Sequence, residues 1–126
     1  MKLLIDTHII LWGMTGDERL TNLESEALRA PENRIFVSVA SIWEIAIKSR
    51  NRRLEAPDDF LAQVKSNPDF EILPVLAEHA WRVRGLPKLH RDPFDQILIA
   101  QALCERMTLM THDPWMARYE APIFGH

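Results

Sequence analysis

One cysteine, four glycines and no apolar run of membrane-spanning length set the first limits on this chain of 126 residues. Cys104 cannot form an internal disulfide, and its place in "ILIAQALC" predicts a buried free thiol rather than a nucleophile. Four scattered glycines leave no Gly-rich phosphate loop, and G-x-S-x-G, H-E-x-x-H and paired C-x-x-C are all missing, which argues against nucleotide, serine-hydrolase and zinc chemistry. The start lacks the basic and apolar regions of a signal peptide, so a cytoplasmic protein with no membrane association is expected. What the chain does have is 47% hydrophobic and 26% charged residues, enough for one globular domain, residues 1–126, with a sizeable core.

Strand-like and helix-like segments alternate along the chain. "KLLI", "RIFVS", "FEILPV" and "TLMT" read as strands, and "PIF" as a possible fifth, at an edge because it opens with Pro122. Between them, helices are expected in "THIILWGM", "LTNLESEALRA", "ASIWEIAIKSR", "APDDFLAQVKSN", "LAEHAWRVRG" and "DPFDQILIAQALCERM", with a short one in "DPWMARY". In "ASIWEIAIKSR" the inner face is read as Ile42, Ile45, Ala46 and Ser49, and "APDDFLAQVKSN" is read as helical from Pro57. This order predicts an α/β fold: a central parallel sheet of four or five strands with helices on both faces.

Carboxylates carry the functional signal. Asp6 closes the first strand, Asp113 follows the fourth, Asp95 begins an apolar helix, and Glu44 lies in the helix after the second strand. Capping is an alternative for several of them: Asp92-Pro93-Phe94-Asp95 is a good helix start with Asp92 as cap, and Asp113-Pro114 repeats the logic. Taken together, however, three of the four fall where parallel strands end or the next helix begins, the edge at which open α/β sheets gather ligands. Carboxylates converging there repel one another unless neutralised, and an all-oxygen donor set suits Mg²⁺ or Mn²⁺. His8 and His112 flank the acids in "DTH" and "THD" but are not counted as ligands. The four tryptophans, Trp12, Trp43, Trp81 and Trp115, are read as core or partner contacts rather than as a base-stacking platform.

Net charge is −3, yet basic residues gather in "KSRNRR" and again at Arg82, Arg84, Lys88 and Arg91, where they can meet phosphates. Two other function classes remain on the residues alone: a phospho-receiver, which needs a lysine near a late strand that "TLMT" does not provide, and a catalytically silent RNA- or protein-binding domain, which the intact acid set disfavours.

"LLIDTHIILW", "SVASIWEIAIKSR", "LPKLHRDPFDQILIAQA" and "LTLMTHD" resemble, in order, the segments of PIN-domain proteins of the VapC toxin type, over most of the chain. The resemblance implies a three-layer PIN-like fold and a Mg²⁺- or Mn²⁺-dependent endoribonuclease that cuts RNA with metal-activated water. It implies Asp6, Glu44, Asp95 and Asp113 as the acids around the metal, Asp6 and Asp95 the firmest, with Thr7 and Thr111 as helpers. A cognate antitoxin and a homodimer follow as implied partners. Four acids committed to metal would turn the net charge of the remainder from −3 to +1, which reconciles an acidic chain with an RNA substrate.

Overall fold

The computed structural model describes residues 1–89 and 91–125. Four strands and six α-helices follow one another as β1 (Lys2–Ile5), α1 (Thr7–Thr15), α2 (Asn22–Arg29), β2 (Arg34–Ser38), α3 (Val39–Arg50), α4 (Phe60–Ser66), β3 (Phe70–Leu73), α5 (Ala77–Arg82), α6 (Pro93–Glu105) and β4 (Thr108–Met110). Single 3₁₀ turns occupy Val83–Gly85 and Met116–Arg118.

All strand pairings are parallel and the order is β3-β2-β1-β4. From β1 the chain moves outward through β2 and β3, then returns to lay β4 on the other side of β1. The strand order therefore reverses at β1, and the crevice beyond the carboxyl ends of β1 and β4 is the topological switch point. Ile5 is in register with Met110, so Asp6 and Thr111 leave the sheet side by side, joined by Asp6 N–H donating to the Met110 carbonyl at 3.1 Å.

The short apolar runs exist because the sheet is buried on both faces. Side chains alternate across a strand: Leu3 and Ile5 pack with Ile9, Ile45, Phe60 and Val64 on one face, while Leu4 packs with Leu98, Ile99, Ala102 and Met116 on the other. Local chemistry sets the helix ends. Thr21 and Glu24 form a capping box at the start of α2, and Gly16 (φ 66°) ends α1 in the left-handed region that glycine enters without strain.

The parallel α/β sheet with helices on both faces is as expected, and several details are not. The "PIF" segment contributes one bridge, Ile123 to Leu109, rather than a fifth strand, because Pro122 has no N–H with which to extend a ladder. Residues 57–59 form a turn closed by Phe60 N–H on the Pro57 carbonyl (3.0 Å), and α4 begins only at Phe60. "DPWMARY" contains a 3₁₀ turn in place of a helix. Cys104 is exposed, since it lies one turn beyond the buried centre of α6 at Leu98–Ala102. Most consequential for function, α3 buries Ile45 as read, but Ala46 is exposed and Ala40, Ser41 and Glu44 are buried. Among the described residues no helix is long and apolar enough to cross a membrane.

Candidate active site

Asp6 caps α1. Its Oδ1 accepts from Ile9 N–H at 3.0 Å, and its Oδ2 accepts from the Thr111 hydroxyl. With only 7% of its surface exposed, burial pushes the carboxyl up; the Thr111 and Ile9 hydrogen bonds and nearby His8 pull it back down, and Glu44 adds to the rise.

Thr7, the first residue of α1, donates its hydroxyl to Oε1 of Glu44, and Lys48, one turn further along α3, holds Oε2 at 2.5 Å. Glu44 is only 3% exposed, so α3 turns a charged face inward. Partial burial of Lys48 works against its charge, but the Glu44 contact and the fields of Asp92 and Asp95 prevail and raise its pKa. This lysine was read from the sequence as part of an external basic run; its spacing of four from Glu44 was the available signal of an ion pair.

Asp92 caps α6, its Oδ1 accepting from Phe94 N–H at 2.9 Å and more loosely from Asp95 N–H at 3.4 Å, with Pro93 in the first helical position. The cap is thus Asp92, and capping does not account for Asp95. Asp113 donates its N–H to Thr111 Oγ1 at 3.0 Å and accepts from Trp115 N–H at 2.8 Å. Thr111 thereby joins Asp6 to Asp113.

Asp6, Glu44, Asp95 and Asp113 line one cleft of about 370 Å³, together with Thr7, Asp92 and Lys48. Its remaining lining comes from His8, Trp12, Arg19 and His112. Five carboxylates therefore face two permanent cations, Lys48 and Arg19, and the deficit is one that a hard divalent ion suits. Among the described residues no three acids or imidazoles already stand as a metal-holding group, and Asp6 and Glu44 are bonded to threonines, to Lys48 and to a backbone N–H. The all-oxygen donor chemistry of the lining fits a hard divalent ion.

The PIN domain family model matches residues 3–122. The chain belongs to the PIN domain family. PIN domains are nucleases, and membership removes the phospho-receiver reading. In solved structures the PIN fold here resembles the VapBC2 complex of Rickettsia felis bound to a DNA fragment from its promoter, at 17% identity and TM-score 0.70, covering 98% of this chain and 96% of that one. It also resembles a toxin-antitoxin complex from Klebsiella pneumoniae (18% identity, TM-score 0.66, 96% and 95% covered) and VapBC-1 from nontypeable Haemophilus influenzae (16%, 0.61, 90% and 87%). At these identities the likeness is one of fold. Comparison with curated proteins finds no similar sequence.

Three of the four tryptophans of this PIN domain, Trp43, Trp81 and Trp115, are exposed, Trp81 by 70%. Of the second basic group, Arg84 stacks on Trp81, its guanidinium 5.2 Å from the ring centre.

The two roles of Asp92, cap and cleft lining, separate by substitution. Asp92→Asn is expected to keep both the cap and most activity, because Asn is an equally good cap, whereas Asp92→Ala should cost about 1 kcal/mol of stability in urea unfolding. Loss of activity in Asp92→Asn as deep as in Asp95→Asn would enlarge the site to include Asp92.

Proposed function

We propose that residues 1–126 act as a single PIN-like domain that is a Mg²⁺- or Mn²⁺-dependent endoribonuclease, the VapC-type toxin of a toxin–antitoxin pair working in the cytoplasm. The observation that carries this reading is the convergence of Asp6, Glu44, Asp95 and Asp113 on one cleft at the switch point of a PIN fold.

Asp6 and Asp95 are the principal ligands of the cation, with Glu44 and Asp113 completing the acidic ring. Thr7 holds Glu44 and Thr111 holds Asp6, so each threonine fixes the direction in which a carboxylate presents its oxygens. Lys48 neutralises one edge of the ring and gives an incoming phosphodiester a positive partner. When bound, the cation supplies Lewis-acid polarisation of the phosphodiester and lowers the pKa of a water for in-line attack. Of the acids in the ring, Asp113 is one whose carboxylate oxygen would accept a proton in the cleft.

The likeness to VapBC toxin-antitoxin complexes supports a cognate antitoxin as partner, and the exposed tryptophans supply apolar area for that partner and for a second copy in a homodimer.

The test is incubation of labelled RNA with purified protein. Fragments should accumulate in Mg²⁺ or Mn²⁺, disappear with excess chelator and return when metal is restored. Cleavage that survives chelator, with contaminating nucleases excluded, counts against the metal reading.

A further inference from the structure

One wall of the acidic cleft consists of rings and a guanidinium. Trp12, on α1 beyond Asp6, lies beside His8 (ring centres 5.7 Å apart, planes at 38°) and His112 (5.0 Å, 60°), and the Arg19 guanidinium sits 4.9 Å from its ring centre. All four line the same cleft as Asp6 and Asp95.

The outer members are held rather than left to swing. Asp17 grips Arg19 with both oxygens, at 3.0 Å from Nε and 2.7 Å from its terminal nitrogen. Glu24 receives His112 Nε2 at 2.9 Å on each oxygen and is itself fixed in the capping box with Thr21. Core packing does not explain this group, because His8, Arg19 and His112 are exposed and only Trp12 touches the interior. Preorganised rings beside a cation, at the mouth of a cleft whose floor is acidic, are the elements from which single-stranded nucleic acid sites are made.

We propose that Trp12, His8, His112 and Arg19 form a nucleotide subsite for a residue of the RNA adjoining the scissile phosphate, the base stacking on one of the mutually tilted Trp12 and His112 rings with the other against its edge, and Arg19 meeting the phosphate of that nucleotide. The inference rests on the ribonuclease reading and adds to it where the substrate lies. Every base has a π-face, so the subsite sets position and favours single strands without reading sequence by itself. Because Asp17 and Glu24 already restrain the outer side chains, little rotamer freedom remains to be lost on binding.

The experiment compares two fluorescein-labelled oligoribonucleotides of equal length, one with bases and one built of stable abasic residues. Their affinities for the full chain are read by anisotropy in chelator, so that binding is measured apart from cleavage. The wild type is expected to prefer the base-bearing strand about tenfold or more, and Trp12→Leu to bind both strands alike. Arg19→Ala should weaken both strands by a similar factor and, with metal present, raise KM with little change in kcat. His112→Asn retains a donor for Glu24 but removes a ring, and should lose part of the base preference; it stands in if Trp12→Leu proves misfolded by circular dichroism. Base preference unaltered in both ring variants overturns the subsite, as does a wild type indifferent to bases. Either result alongside metal-dependent cleavage leaves the ribonuclease reading standing. Failure of the wild type to cut any RNA defeats that reading, while the binding comparison still decides the subsite. Protection of Trp12 by a protein partner alone, with no effect on RNA, would mark the wall as a protein contact and overturn the proposal.

Discussion

Asp6→Asn is expected to slow RNA cleavage at least about a hundredfold and, in the same protein, to raise the melting temperature of the metal-free form at neutral pH. The two effects have one cause. The oxygen of an amide at this position still accepts from Ile9 N–H, so the cap of α1 survives, while its NH2 faces the Thr111 hydroxyl, which then accepts where it had donated. What the amide loses is the negative charge that a hard cation requires. That charge is also a burden on the apo fold. Burial raises the Asp6 carboxyl above its ordinary value of 3.8, so the folded chain holds this proton more tightly than the unfolded chain does. The protonated carboxyl contributes its full stability below pH 3.8, and that contribution drains away as pH rises to the folded value. The wild type loses it as pH rises through that folded value, and Asp6→Asn never had it to lose. Melts in chelator from pH 4 to pH 8 should therefore show the wild type falling relative to the variant as pH increases. A variant that melts below the wild type at neutral pH would show that Asp6 is placed for packing rather than for a ligand. Asp95→Asn should share the loss of activity while its fold persists.

The ends of the cut RNA should be 5′-phosphate and 3′-hydroxyl, in effect without exception. Water attacking phosphorus in line leaves those ends, whereas attack by the neighbouring 2′-hydroxyl leaves a 2′,3′-cyclic phosphate and a 5′-hydroxyl. The second route needs a general acid and base on either side of the phosphate. Among the described residues the imidazoles that line the cleft are His8 and His112, and both lie against Trp12, with His112 clamped by Glu24. The acids instead surround the cleft as cation ligands do. Hydrogen in place of the 2′-hydroxyl at the mapped cut should leave measurable cleavage. Cyclic-phosphate ends made by the wild type and missing from an Asp6→Asn control would sink the metal-water mechanism and leave the PIN fold untouched.

Periodicity read the strands well, because a buried parallel sheet leaves uninterrupted apolar runs: Arg34–Ser38 is the strand that "RIFVS" suggested. The acids at strand ends were legible for the related reason that a carboxylate closing such a run has no packing motive. Periodicity failed where polar residues point inward to serve the site. The inner face of α3 includes Ser41 and Glu44, so apolar spacing turned the helix toward Ala46, and Glu44 was legible as a site acid only from the set of four carboxylates. Lys48 was misplaced by the same rotation. The wall around Trp12 was illegible for another reason: it joins positions 8, 12, 19 and 112, and nothing in local spacing foretells a contact between α1 and the segment after β4.

The hydrogen bond from Thr111 to Asp6 spans 105 residues of chain. Its ends directly follow two neighbouring strands, central β1 and β4 at the end of the sheet, and β4 is the last strand of the sheet to be synthesised. A nascent chain that has not yet released β4 from the ribosome has its first acid in hand and no partner strand on one side of it, so the cleft lacks the wall that Thr111, His112 and Asp113 supply. A chain truncated before residue 108 lacks β4 and, with it, the Thr111 and Asp113 side of the cleft.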